Sequence, residues 1–136
     1  MPTVLDLFAG EGGTAMGYAR SGLTPIGIDN DPRMLARYHF ECYQMDWRQG
    51  IEKFAGQADL IHASPPCQHY SRGVLAPYRD RHPDLVASVR EMLIETGKPY
   101  VIENVPGAPL INPVSLSGCM FNLTAEYRGT VLEAQR

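Results

Sequence analysis

Several things are scarce in this chain of 136 residues, and each scarcity excludes a class of protein. It has three cysteines, Cys42, Cys67 and Cys119, scattered and odd in number. That arrangement offers neither a disulfide framework nor a CxxC-type metal spacing, so no structural metal is expected and a reducing compartment is favoured. No apolar run approaches the roughly 18 residues of a membrane span, and no basic stretch followed by a hydrophobic one opens the chain. Neither a membrane partner nor an export signal is therefore expected, and the cytoplasm is the expected location. The basic surplus usual in nucleic-acid binders is missing too, since the net charge is −3. There are no internal repeats and no low-complexity segments. With 44% hydrophobic and 20% charged residues, the composition is that of an ordinary globular chain, and its length fits one domain able to bury about two-thirds of its unfolded surface.

What is present is a regular alternation of short apolar strands and helical segments. Residues 2–8 read as a strand, 14–21 as a helix closed by Gly22, and 24–29 as a second strand. Asp31-Pro32 is an N-cap followed by proline at the first helical position, opening a helix over 32–41. A third strand over 42–46, a short helix over 47–55 and a fourth strand over 58–64 follow. Residues 83–96 carry Leu85, Val86, Val89, Met92 and Leu93 at helical spacing. Residues 100–105 read as a fifth strand. Such alternation predicts a doubly wound, mostly parallel α/β sheet of Rossmann-like type, in strand order 3-2-1-4-5. Beyond Pro106 the pattern weakens: residues 105–136 read as a loop-rich tail, and 124–136 as polar with some helical tendency.

Gly10, Gly12 and Ala15 satisfy G-x-G-x-x-A between the first strand and first helix, and Asp29 stands at the tip of the next strand. That combination is an adenosine-binding crossover: bare backbone lets a ligand approach, and the carboxylate can accept from ribose hydroxyls. Glu11 within the loop opposes a pyrophosphate and suits a ligand with a positive centre, such as the sulfonium of S-adenosylmethionine. Asp46, at the third strand tip, is placed either to accept from an adenine amino group or simply to cap the next helix.

The stretch Leu60 to Ser71, LIHASPPCQHYS, is a strand stopped by Pro65-Pro66 with Cys67 just past its tip. Ligands of open α/β sheets bind at that edge. Cys42 and Cys119 fit packing positions. Cys67, rigidified by two prolines and followed by Gln68, His69, Tyr70 and Ser71, is either chemical or a small buried hydrophobe. Arg72, Arg79, Arg81 and His82 then form a local basic rim, interrupted by Asp80 and Asp84.

With Asp6-Leu-Phe-Ala-Gly-Glu-Gly-Gly13, Pro65-Pro-Cys-Gln68 and Glu103-Asn-Val105 on successive strand tips, residues 3–123 strongly resemble the DNA (cytosine-5) methyltransferases, and most of all short phage-type members. The resemblance implies the methyltransferase fold as one catalytic domain without a target-recognition domain, S-adenosyl-L-methionine as cofactor, DNA with a flipped cytosine as partner, and work in a bacterial or phage-infected cell. It assigns Phe8, Gly10, Gly12, Gly13, Asp29 and Asp46 to the methyl donor. Cys67 becomes the nucleophile and Glu103 the acid that meets the Watson–Crick edge of the base. Pro66, Gln68, Ser71, Arg72 and Asn104 fall on the substrate side. The chemistry requires these types: a thiolate adds to carbon 6 while a carboxylic acid serves N3, and the resulting enamine attacks the donor methyl. Glu103 is expected to keep a proton near neutrality through burial beside Val101 and Val105, the alternative being a carboxylate paired with Arg72 or another cation.

The family's R-x-R element, target-recognition region and final helix have no counterpart here, and Arg128 stands alone. Three functions stay open: an active DNA cytosine methyltransferase, a silent or partner-dependent half of a split enzyme completed by a second polypeptide, and a methylase of free pyrimidine nucleotides or RNA.

Overall fold

In a computed structural model of the chain, which describes residues 1–71, 73–121 and 129–135, one seven-stranded sheet runs through the molecule. Its strands are β1 (Thr3–Leu7), β2 (Thr24–Asp29), β3 (Glu41–Gln44), β4 (Leu60–Ala63), β5 (Tyr100–Asn104), β6 (Val114–Leu116) and β7 (Thr130–Gln135). The helices are α1 (Gly13–Arg20), α2 (Pro32–Leu35), α3 (Trp47–Phe54), α4 (Ala76–Arg79) and α5 (Val86–Thr96). Strand order is β3-β2-β1-β4-β5-β7-β6, so the expected order 3-2-1-4-5 holds for the parallel part. Strands β7 and β6 extend it antiparallel.

The two faces of the sheet differ in chemistry. One buries Leu5, Leu7, Ile28, Ile61 and Ile102 against Trp47, Ile51 and Phe54 of α3 and Val89 and Leu93 of α5. Each such side chain contributes about 1.5–3 kcal/mol by leaving water, so this layer supplies most of the stability. Helix α3 comes close at Gly50, where a Cβ would stand 2.8 Å from Ile28 Cγ2. The opposite face, under α1, carries the buried polar residues Asp6 and His62, which are register partners on β1 and β4.

Three segments depart from the sequence expectation. Helix α2 ends at Leu35 rather than running to 41. The early end turns Tyr38 inward, its ring lying where Cβ atoms on Gly12 and Gly27 would be, at 2.9 and 2.4 Å, with its hydroxyl donating to Asp6 at 3.2 Å. Residues 130–135, expected to have helical tendency, form β7, because Glu133 on this strand finds a buried partner in Arg90 of α5 at 2.7 Å. Cys119, expected to pack, is exposed beside Ser117, whereas Cys42 does pack against the smaller cluster of Ala9, Ala15 and Tyr38.

Candidate functional site

The carboxyl ends of β1, β2, β4 and β5 meet at a cleft of about 360 Å³ whose lining includes Phe8, Asp29, Pro66, Cys67, Gln68, Glu103 and Asn104. A slot of about 30 Å³ adjoins it between Phe8, Ile28, Met45 and Trp47, with Asp29 and Asp46 also lining it. Seven of the sequence-predicted residues thus come together in the cleft, and Asp46 joins them through the slot. Gly10, Gly12, Gly13 and Ser71 are not in the lining, and Arg72 lies outside the described residues.

The turn after β1 is built by backbone conformation. Phe8, Gly10 and Gly12 all have positive φ, at 60°, 54° and 89°. A non-glycine residue held there is strained, and such strain persists only where its surroundings enforce it. The Phe8 ring sits 5.9 Å from that of Trp47, between the cleft and the slot. The Asp29 carboxylate pins the turn from β2, accepting from the amides of Gly10 at 2.9 Å and Asp31 at 2.8 Å. Each oxygen keeps acceptor capacity for a hydroxyl. Asp46 caps α3, accepting from the Arg48 amide at 2.9 Å while Gln49 reciprocates at 3.2 Å, so the capping reading of this residue is fulfilled. Glu11 points to the surface and pairs with Arg37 at 2.8 Å.

At the β4 edge, Pro65 and Pro66 end the strand, and the Cys67 carbonyl accepts from the amides of Tyr70 and Ser71 at 3.0 and 2.9 Å, curling the chain into a turn. Asn104 Nδ2 donates to the Pro65 carbonyl at 3.0 Å, tying the tip of β5 to the segment that presents the thiol. Further along, Tyr70 bonds Asp84, and the His69 ring nitrogen Nδ1 lies 3.2 Å from each of the carbonyls of Arg79 and His82. Both contacts fold the loop of α4 back on itself.

Glu103 is held at both oxygens. Oε1 accepts from the Thr130 hydroxyl at 2.9 Å and Oε2 from the Ser64 hydroxyl at 3.0 Å. His62 Nε2 stands 3.6 Å from Oε2, beyond a direct hydrogen bond, but 2.8 Å from Ser64 Oγ. The neighbouring imidazole foremost, then the Thr130 and Ser64 hydroxyls, outweigh burial and hold the carboxyl below its ordinary range. This corrects the expectation that burial beside valines would raise it. The expected alternative was a cation partner such as Arg72, which lies outside the described residues; the side chains around the carboxyl are those of Ser64, Thr130 and His62. Behind it, Asp6 is raised to about 6 by burial, against the opposing influence of His62 and Tyr38.

Sequence reasoning missed His62, Ser64 and Thr130. The first two carried a signal, as polar residues inside an otherwise apolar strand. Thr130 carried none, since its strand was not anticipated. Among the described residues no three His, Cys, Asp or Glu side chains group so as to hold a metal, and no helix is long and apolar enough to cross a membrane.

The strand order, the glycine turn and the acidic strand tips define an α/β protein of the Rossmann-like, S-adenosylmethionine-dependent methyltransferase fold. Solved structures agree. A protein described as a DNA modification methyltransferase encoded within an E. coli prophage superposes with a TM-score of 0.71 at 19% identity, over 97% of this chain and 45% of that one. The S. pombe Dnmt2 methyltransferase gives 0.67 at 19% identity, over 100% and 49%. An RNA methyltransferase from Salinibacter ruber, in complex with S-adenosyl-L-homocysteine, gives 0.55 at 17%, over 98% and 80%. The chain therefore spans about half the length of the first two. No curated protein matches it. The family model for C-5 cytosine-specific DNA methylases matches residues 2–111, and the chain belongs to that family. The cofactor that family and fold imply is S-adenosyl-L-methionine.

The residues present fit that cofactor. The positions a Cβ would take on Gly10 and Gly13 are open, leaving the turn bare to a ligand. Where the cleft meets the slot, aromatic and aliphatic walls stand beside the carboxylates of Asp29 and Asp46, a lining whose chemistry suits a heterocycle bearing donors and ribose hydroxyls.

Proposed function

We propose that this chain provides the catalytic cleft of a DNA cytosine-5 methyltransferase, as a single S-adenosylmethionine-binding domain with Cys67 as nucleophile. The observation that carries the reading is that Cys67, Glu103 and the acidic strand tip Asp29 line one cleft, although 74 residues separate the first from the last of them (Asp29 to Glu103). When bound, S-adenosyl-L-methionine supplies an electrophilic methyl group. Phe8, Gly10, Gly12, Gly13 and Asp29 hold the donor, Asp46 with its remaining acceptor capacity takes the amino group of the adenine, and Trp47 walls the slot.

On the substrate side, the Cys67 thiolate adds to carbon 6 of an extruded cytosine, and Glu103 meets N3 and the exocyclic amine. Neither face of a stacked base is open to a thiol and a methyl donor at once, so extrusion is required, at a cost of about a few kcal/mol. Asn104 and Pro66 position the thiol through the Pro65 carbonyl bond, whereas Gln68 and Ser71 belong to the side from which the base enters; the substrate role that the resemblance implies for Arg72 falls outside the described residues. Because the chain spans about half of its longer solved relatives, the remaining DNA-holding surface is assigned to polypeptide outside this cleft, on the same or a second chain.

The test is methyl transfer from labelled S-adenosylmethionine to duplex DNA, to a cytosine-containing RNA and to cytidine nucleotides, with wild type and Cys67→Ala. Transfer to DNA at carbon 5, abolished by the substitution, is expected. Transfer that survives Cys67→Ala, or that prefers RNA or nucleotides, overturns the assignment.

A further inference from the structure

A buried histidine stands behind the carboxyl that serves the base, and a hydroxyl bridges the two. His62 is 4% exposed and lies in the middle of β4, where the strand reading leads one to expect an aliphatic side chain. Its ring is fixed at both nitrogens, with Tyr18 Oη 3.0 Å from Nδ1 and Ser64 Oγ 2.8 Å from Nε2. The Ser64 hydroxyl donates onward to Glu103 Oε2 at 3.0 Å, so Oγ is the acceptor toward the histidine and Nε2 carries a proton. The neutral ring then accepts the Tyr18 hydroxyl at Nδ1, which gives every hydrogen bond from α1 to the cleft one consistent direction.

We propose that His62 is a positioning residue that acts through Ser64 to hold Glu103 as an oriented carboxylate and to pass it the proton required at N3 of the base. This deepens the reading above and rests on it. A base in the cleft needs a proton from Glu103, and the hydrogen bonds running from His62 through Ser64 to its Oε2 offer a path from behind. From the imidazolium form of His62, the Nε2–H bond breaks as a new Oγ–H bond forms on Ser64. The former Oγ proton passes to Glu103 Oε2, and the neutral imidazole left behind keeps its Nδ1 proton, which it donates to the Tyr18 oxygen. The same path run backwards returns the proton to His62 when N3 is released. The titratable groups facing His62 are Asp6 from β1, Tyr18 from α1 and Glu103 from β5, while Tyr38 and Asp29 act on Asp6 in turn. Asp6 is the register partner of His62 within the sheet.

The test follows the Glu103 carboxyl carbon by NMR across pH in protein labelled at glutamate, with Glu103→Gln identifying the signal. In His62→Gln, which can still donate to Ser64 but cannot carry a proton, the Glu103 midpoint should rise by about one pH unit, a tenfold change in its ionised fraction. Ser64→Ala should move it the same way and lower kcat more than it raises KM for DNA. A midpoint unmoved in both variants, each folded by circular dichroism, overturns the proposal. If the substitutions unfold the chain, the wild-type ring decides: 15N shifts at alkaline pH must show the Nε2–H tautomer at His62, and an Nδ1–H tautomer overturns the relay. A midpoint that rises in both variants, where the wild-type protein transfers no methyl group, upholds the coupling and overturns the catalytic reading instead.

Discussion

Asp6→Asn isolates the energetic consequence of the polar row under α1. Asp6 is 1% exposed and its carboxyl is raised from the ordinary 3.8 to about 6, with burial the main cause. A raised acid binds more protons in the folded than in the unfolded state between those two values, so stability falls as pH rises through that window. At about 1.4 kcal/mol per pH unit, the ionised folded form is disfavoured by about 3 kcal/mol at neutral pH, and by nothing below about pH 4, where both states are protonated. Asparagine removes the charge and keeps an acceptor for the Tyr38 hydroxyl. The stability of wild type minus that of Asp6→Asn, from urea unfolding at matched pH, should therefore fall by about 3 kcal/mol between pH 4 and pH 7. Taking the difference removes titrations common to both proteins. A difference that is flat with pH, or that climbs, refutes the assignment of Asp6 as a buried and costly carboxylate.

Other perturbations test the supports of the cleft. Tyr38→Phe deletes a bond that favours ionised Asp6, so it should cost about 1.5 kcal/mol at pH 7 and less at pH 4.5, read by the same unfolding assay. Glu133→Ala leaves Arg90 with its guanidinium largely buried and unpaired, and should cost about 3 kcal/mol in urea unfolding, whereas a loss under about 1 kcal/mol would show that β7 is held by its backbone ladder alone. Asn104→Ala frees the Pro65 carbonyl, and should cost about 1–2 kcal/mol of stability while lowering methyl transfer without weakening donor binding in calorimetry.

The parallel half of the sheet was legible because β1, β2, β4 and β5 are short, largely apolar runs closed by a glycine, proline or acidic residue, and that pattern survives without tertiary information. The turn at Gly10 and Gly12 was legible for the same local reason. Helix α2 was read too long because its end is decided by Tyr38 reaching over two glycines, a contact 11 and 26 residues away. Strand β7 was missed because its pattern is broken by Glu133, a charge that belongs inside only once Arg90 stands opposite it. The reversal at Glu103 has a similar origin: Val101 and Val105 share its face of β5 and suggested an apolar pocket, but the neighbouring strands bring His62, Ser64 and Thr130 to that same face.

Calorimetric titration of the 136-residue chain with S-adenosyl-L-methionine, with and without a cytosine-containing duplex, tests the central claim most directly. The account predicts one site of micromolar affinity, displaced by S-adenosyl-L-homocysteine and tightened by the duplex. No heat of binding at millimolar donor would contradict a donor site formed by the turn after β1 and the tips of β2 and β3.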